Sequence, residues 1–173
     1  MPATVTDCRA LRDQAAAAHV ISLIAQGTFE LYSDLKVLVL GAGITWIPPV
    51  LWRFDTDAKA LRGDAPWLNE LPSEYFRRFF RVGTYPLERA ATAAQLAKYL
   101  GSFRQIEDIV CFSSGYPDSD ANSPAEVRSK LPIEWHEKVM ATNAESLFAL
   151  RTPPIADSHA ADVSSKEKLE RAE

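Results

Sequence analysis

Cysteine, basic charge and long apolar runs are all scarce in this sequence. Cys8 and Cys111 are too few for a disulfide framework and lack the spacing of a metal-binding pair, so we expect two reduced thiols in a cytoplasmic protein. The 19 Lys and Arg residues are outnumbered by 23 Asp and Glu, giving a net charge of −4, which argues against a nucleic-acid partner. The apolar run 15–25 is interrupted by His19 and Ser22, so we expect no membrane segment or export signal there.

What is present is the composition of one globular domain with alternating helices and strands. The 173 residues are 47% hydrophobic and 24% charged, enough for one core but not for two. Apolar patterning predicts helices over 9–26, 50–61, 92–103 and from 132, and strands over 35–40, 80–84 and 109–113. This alternation predicts an α/β fold with parallel strands. We expect the domain to span residues 1–150 and residues 151–173 to be a disordered or short-helical tail.

A Gly-Ala-Gly turn, Gly41 to Gly43, follows the first predicted strand and suggests a dinucleotide-binding loop. That loop needs a small residue three positions after its second glycine, where this chain has Trp46. It also needs a second strand that ends in an acidic residue about twenty residues later, and a helix is predicted there instead. A nucleotide-binding regulator is therefore supported by the two glycines alone.

Five segments carry a different pattern. They are Gly27 to Asp55 (GTFELYSDLKVLVLGAGITWIPPVLWRFD), Pro72 to Tyr75 (PSEY), Thr84 to Glu88 (TYPLE), Phe112 to Pro117 (FSSGYP) and Asn143 to Leu147 (NAESL). In this order they resemble the amidohydrolase-related family of metal-dependent enzymes, the group that contains aminocarboxymuconate semialdehyde decarboxylase and related decarboxylases and hydrolases. The resemblance covers about residues 15–150. It implies a partial (β/α)8 barrel made of about the last three β/α units.

The resemblance also shows which catalytic residues of the family this chain lacks. The family's His-x-His on the first strand and its histidine on the fifth have no counterparts. Its eighth-strand Asp, a metal ligand and proton carrier, falls at Gly115; the histidine after it falls at Asp118, and the acidic residue after the sixth strand falls at Gly41. A glycine has no side chain that binds a metal or acts as a base. The family implies a divalent, zinc-type metal, but we expect no cofactor in this chain alone.

Some polar and aromatic residues follow the predicted strands and are candidates for the barrel mouth, where the fold places its chemistry. Asp118 is the one candidate for a catalytic or ligating role; the alternative is an exposed acidic turn in which Asp118 and Asp120 bond to nearby backbone. Trp46, Tyr85 and Tyr116 are candidates for substrate binding, with packing or a half-buried strand end as the alternative.

The remaining aromatic and histidine residues are expected to be structural. We expect Trp52 and Trp67, like Trp46, to pack between helices and sheet. The three histidines are expected at the surface or in helix packing; they are His19, His136 and His159.

Three barrel strands leave two open edges and a bare inner face, which we expect to be lined by Val37, Val39, Ile109 and Cys111 or their neighbours. Exposing several such side chains costs several kcal/mol at about 25 cal/mol per Å², comparable with a net stability of roughly 5–15 kcal/mol. We therefore expect a partner chain that supplies the remaining strands, or a homo-oligomer; a truncated remnant is a third possibility. The predicted function is a non-catalytic or partner-completed subunit. The alternative is a metal-dependent hydrolase or decarboxylase of a small carboxylic or amide substrate, active once assembled as an oligomer.

Overall fold

The computed structural model describes residues 4–60, 62–88 and 92–149 of the chain, and the expected tail at 151–173 lies outside these ranges. The helices are α1 (Val5–Ala10), α2 (Arg12–Ala25), α3 (Thr28–Leu31), α4 (Ile47–Ala60), α5 (Pro72–Phe79), α6 (Ala93–Leu100), α7 (Pro124–Lys130) and α8 (Asn143–Phe148). The strands are β1 (Val37–Val39), β2 (Phe80–Gly83) and β3 (Val110–Cys111). Turns of 3₁₀ helix lie at Ile106–Asp108 and Ile133–Trp135, and a π-helical turn spans Lys138–Thr142.

The three strands form one parallel sheet in the order β1-β2-β3. Leu38 pairs with Arg81 across the first ladder, and Gly83 pairs with Cys111 across the second. Each strand is separated from the next by at least one helix, which is the arrangement of consecutive β/α units in a barrel. The predicted α/β class and the partial barrel are confirmed.

The core lies between the sheet and the helices, and aromatic rings dominate it. The rings of Phe76 and Phe80 stack with their centroids 5.0 Å apart, and those of Phe29 and Phe79 stack at 4.4 Å. Phe76 and Phe80 are fully buried, as is Leu51 on α4. Ring pairs of this kind add about 0.5–1.5 kcal/mol beyond their burial, so this face of the sheet is where the chain gains its stability.

The expected lining of the inner face, Val37, Val39, Ile109 and Cys111 or their neighbours, is wrong for Val37 and Val39. These two residues pair with Phe80 and Val82 and pack against the core on the helix side, and their neighbour Leu38 lies on the inner face instead. Ile109 is buried. Because successive side chains of a strand point to opposite faces, an apolar run alone leaves undetermined which alternate set faces the helices. The inner face carries the residues that alternate with those of the helix side.

Arg81 and Cys111 share that inner face with Leu38. Burial raises the pKa of the Cys111 thiol, and the positive charge of Arg81 partly opposes this rise. Arg81 donates from Nη1 to the carbonyl oxygens of Arg77 (3.2 Å) and Phe80 (2.7 Å). Its Nε–H is buried and has no partner among the described residues, and an unpaired buried donor lowers stability.

Several helix boundaries differ from the prediction. The helix expected over 9–26 is two helices that meet at Leu11. The short helix α7 was not predicted, although Ser123 and Glu126 form a capping box at its start. The helix expected from Pro132 onward is divided into a 3₁₀ turn, the π-helical turn and α8. No described helix combines the length and the apolar character that crossing a membrane would require.

Two of the three tryptophans expected between helices and sheet lie at the surface instead. Trp52 is 46% exposed and Trp67 is 45% exposed. The Trp67 indole donates to the Ala25 carbonyl at 2.9 Å and covers Gly27 at the end of α2. Trp67 therefore holds the 62–71 connection against the end of α2.

Candidate functional site

The loops that follow the three strands meet at one end of the sheet and surround a cavity of about 590 Å³. Its walls include Arg12 from α2, Leu40 from the end of β1, Tyr85 from the loop after β2, and Tyr116 and Asp118 from the loop after β3. This end corresponds to the carboxyl ends of the strands, where barrels carry their sites. We call it the mouth cavity.

A second cavity, of about 510 Å³, lies on the outside of the molecule between α2, α4 and the 62–71 connection. Phe54 and Leu68 give it apolar walls, and the charged groups around it include both signs, with Asp57 and Lys59 among them. Because none of the described residues in the loops after the strands lines it, the mouth cavity is the candidate site.

Hydrogen bonds between the loops after β2 and β3 fix the floor of the mouth cavity. Thr84 Oγ1 donates to the Ser113 carbonyl at 3.1 Å and accepts from the Ser113 N–H at 3.0 Å. The Tyr85 N–H donates to Ser113 Oγ at 2.9 Å. Ser113 is therefore a structural link between two loops, and its hydroxyl is engaged as an acceptor.

Tyr85 is buried beneath two carboxylates, and its hydroxyl lies 2.9 Å from Asp118 Oδ2 and 2.7 Å from Asp120 Oδ1. The hydrogen bond to Asp120, burial of the ring and the hydrogen bond to Asp118 raise the pKa of Tyr85 to about 12. The hydrogen bond from Tyr85 in turn lowers the pKa of Asp120. At neutral pH the Tyr85 phenol is therefore protonated and acts as the hydrogen-bond donor.

Two arginines from the amino-terminal helices complete this network. Arg9 on α1 pairs with Asp120 at 2.7 Å, and Arg12 on α2 lies 3.9 Å from Asp118. The sequence had suggested that the two aspartates bond to nearby backbone. This holds in part for Asp120, because besides the Tyr85 hydrogen bond a hydrogen bond from its own backbone lowers its pKa. Both carboxylates are also directed to a phenol and to guanidinium groups far away in the chain, and no local pattern signals that pairing.

The position of the family's metal-binding Asp cannot hold a side chain in this arrangement. Gly115 has φ +79°, and a Cβ built on it would lie 2.4 Å from Cδ2 of the Tyr85 ring. The described residues contain no group of three or more His, Cys, Asp or Glu side chains placed to hold a metal ion. The residues present therefore do not fit the metal that the resemblance implies.

A carboxylate of this chain occupies the position next to the Gly-Ala-Gly turn. The Glu88 carboxylate accepts from the N–H groups of Ile44 (3.5 Å) and Thr45 (3.4 Å), just before α4 begins. A Cβ on Gly43, where φ is +66°, would lie 2.2 Å from Glu88 Oε1. The turn therefore receives an internal carboxylate where a nucleotide-binding loop would receive phosphate, and a phosphate would be repelled by Glu88. Sequence reasoning missed this role of Glu88.

The other candidates divide between core and surface. Trp46 is buried, donates its indole N–H to the Gly43 carbonyl at 3.0 Å and meets Phe76 edge to face, so it is not among the residues that line the mouth cavity. Tyr116 is 85% exposed at the rim. His19 is exposed, and His136 lies within hydrogen-bond distance of carbonyl groups on and after α7. His159 lies outside the described residues.

No protein-family model matches the sequence, and no curated protein is significantly similar to it. Solved structures do match the fold. An amidohydrolase from Mycobacterium avium subsp. paratuberculosis K-10 matches with TM-score 0.65 and 20% identity, over 86% of this chain and 37% of that one. 5-Carboxyvanillate decarboxylase from Sphingomonas paucimobilis matches with TM-score 0.58 and 26% identity, over 78% of this chain and 40% of that one.

A third match carries a metal. Dihydroxybenzoic acid decarboxylase from Polaromonas sp. JS666, with bound manganese and the inhibitor 2-nitroresorcinol, matches with TM-score 0.62 and 19% identity, over 88% of this chain and 49% of that one. The resemblance to amidohydrolase-related enzymes is thus confirmed at the level of fold. The chain spans less than half the length of each of these three structures.

Proposed function

We propose that this chain is a partial barrel of the amidohydrolase-related family that serves as a subunit, holds no catalytic metal of its own, and has its bare sheet face covered by another polypeptide. The observation that carries the proposal is the contact between Gly115 and Tyr85. The resemblance expects a metal-binding carboxylate at position 115, and the Tyr85 ring fills the space which that side chain would need.

The charges at the mouth cavity support the same proposal. Asp118, which follows Gly115 in the loop, is directed to the hydroxyl of Tyr85 and toward Arg12. Both contacts are made by Oδ2, and a divalent cation that approached this carboxylate would be repelled by the Arg12 guanidinium. Strong metal sites instead bring three or more unengaged ligands together.

The open side of the sheet supports the subunit role. Leu40, at the end of β1 and two residues after Leu38 of the inner face, is 60% exposed. On the inner face, the buried Nε–H of Arg81 has no partner among the residues that the structure describes. This chain covers 49% of the dihydroxybenzoic acid decarboxylase and 37% of the amidohydrolase that match its fold. The remaining 51% and 63% of those two chains have no counterpart here. A polypeptide equivalent to part of that remainder would cover these groups.

The test is a calorimetric titration of Mn²⁺ into the purified chain, with the Asp118→Ala variant as the matched control. We expect wild type and variant to bind Mn²⁺ equally weakly, with dissociation constants of about 1 mM or above. Stoichiometric micromolar binding by the wild type that Asp118→Ala abolishes would overturn the proposal.

A second candidate function is a metal-dependent hydrolase or decarboxylase of a small carboxylic or amide substrate, active only as an oligomer. The mouth cavity favours it, because about 590 Å³ is a volume typical of small-molecule sites. Asp118 would then act in catalysis, with Tyr85 and Tyr116 in contact with substrate. This candidate requires turnover by the assembled complex that Asp118→Ala abolishes, and the first candidate requires none.

A further inference from the structure

The two edges of the three-stranded sheet are not equivalent. Val82 and Thr84 donate to the carbonyl oxygens of Ile109 and Cys111, both at 2.9 Å. In a parallel ladder, the backbone groups of alternate residues point to opposite sides. The backbone groups of Val110 and Phe112 therefore point away from β2, where the next strand of a closed barrel would lie.

Those outward groups already have partners. The Phe112 N–H donates to the Val139 carbonyl at 2.7 Å. The Asn143 side-chain amide donates to the Val110 carbonyl and to the Glu107 carbonyl, each at 2.7 Å. Asn143 is only 7% exposed and Val139 only 1%, so the contacts are part of the packed interior. Both residues belong to the stretch 138–148, made of the π-helical turn and α8, which we call the terminal segment.

The edge of β1 has no such cover among the described residues. The backbone N–H and C=O groups of Val82 and Thr84 point toward β3. The backbone groups of Arg81, which lies between them, therefore point toward β1. Leu38 pairs with Arg81 in the register, so the ladder alternation turns the N–H and C=O of Leu38 to the outer side. No strand of the described residues lies on that side.

We infer that the terminal segment is an edge cap: Val139 and Asn143 take the hydrogen-bond positions on β3 that a neighbouring barrel strand would use, so a further strand pairs with β3 only after this segment is released. Within residues 4–60, 62–88 and 92–149, the two edges expected to be open thus reduce to one. A π-helical turn is rare and commonly marks a functional position, and here it presents the carbonyl that Phe112 requires. The cap protects the chain against uncontrolled strand addition, which is the general hazard of an exposed edge.

Native-state amide exchange on the isolated protein tests the inference without any substitution. We expect the Phe112 amide to exchange at least about a hundredfold more slowly than the Leu38 amide, and about as slowly as the Thr84 amide inside the ladder. The result should be the same after about tenfold dilution, since an intramolecular contact does not depend on concentration. Phe112 exchange as fast as that of Leu38, or protection that is lost on dilution, would overturn the inference.

A variant then identifies the residue responsible. Asn143→Ala removes both donors to the start of β3, and we expect Phe112 exchange to accelerate by about tenfold. Asn69→Ala, which deletes an exposed amide bonded to Glu30 at 3.1 Å, should leave Phe112 exchange unchanged. If Asn143→Ala fails to fold, the wild-type comparison of Phe112 with Leu38 still decides. The inference rests on the proposed function in one premise, that the chain is a partial barrel approached by another polypeptide. Amide exchange would overturn the inference, whereas metal binding would overturn the proposed function, so the two failures are distinguishable.

Discussion

The two faces of the sheet differ in how completely their side chains are buried and hydrogen-bonded. On the helix side, Phe80 and Val82 of β2 are fully buried. On the inner side, Arg81 of the same strand has a buried donor with no partner in the described part of the chain, and Leu40 is mostly exposed. The difference teaches that the aromatic core on the helix side supplies most of the burial that holds this chain together.

The largest effect should follow from a substitution on the helix side. Phe80→Ala deletes a fully buried ring that stacks on Phe76, and we expect the free energy of unfolding to fall by about 3–5 kcal/mol. Leu40→Ala on the inner side is the matched control, with an expected change below about 1 kcal/mol. Urea denaturation measures both. Equal losses would contradict the asymmetry between the faces.

The next effect tests the contact that excludes a side chain at position 115. Gly115→Ala forces a Cβ into the Tyr85 ring at a positive φ, and we expect a loss of about 1–3 kcal/mol in the free energy of unfolding. In a Tyr85→Ala background the steric part is removed and only the backbone strain remains. A double-mutant cycle measures the coupling; additive losses would show that the ring does not restrict this position.

These contacts show what the sequence could and could not predict. Continuous apolar runs located β1 and β3, because buried parallel strands need apolar residues on both faces. The runs could not fix which alternate residues face the helices, and so Val37 and Val39 were misplaced. Glycine at 115 was readable from the resemblance. The Tyr85 ring that fills its space was not, because the two residues come together only through the pairing of β2 with β3.

The distant ionic contacts were equally hidden. Arg9 meets Asp120 across 111 residues of sequence, and no periodicity reports such a pair. Glu88 was visible in a matched segment, but its position at the Gly-Ala-Gly turn depends on how two loops fold together. Local patterns predicted elements, whereas the site depends on contacts between loops after different strands.

A smaller effect should appear at alkaline pH. The folded-state pKa of Tyr85 is about 12, above its ordinary value of 10.0, so the protonated phenol stabilises the fold. That contribution is complete below pH 10 and is lost as the pH rises toward 12. Tyr85→Phe lacks this titration, so the wild-type stability should fall more steeply than that of the variant over this range in urea denaturation. Parallel curves would contradict the assigned network.

The smallest effect concerns the ion pair at the rim. Arg9 and Asp120 are both substantially exposed, at 39% and 47% of their side-chain surfaces, and water and salt screen such pairs. We expect Arg9→Ala to lower the melting temperature by about 1 °C or less, like Arg53→Ala in the exposed pair Arg53–Asp57. A much larger shift for Arg9→Ala would mean that the α1 contact supports the mouth more strongly than its exposure indicates.

The metal content of the purified full chain tests the central claim most directly. The protein should be produced in medium supplemented with zinc and manganese and measured by elemental analysis after desalting. We predict below about 0.1 equivalents of any divalent transition metal per chain, because tight binding requires several free ligands that meet at one point. One equivalent of zinc or manganese retained per chain would contradict the account.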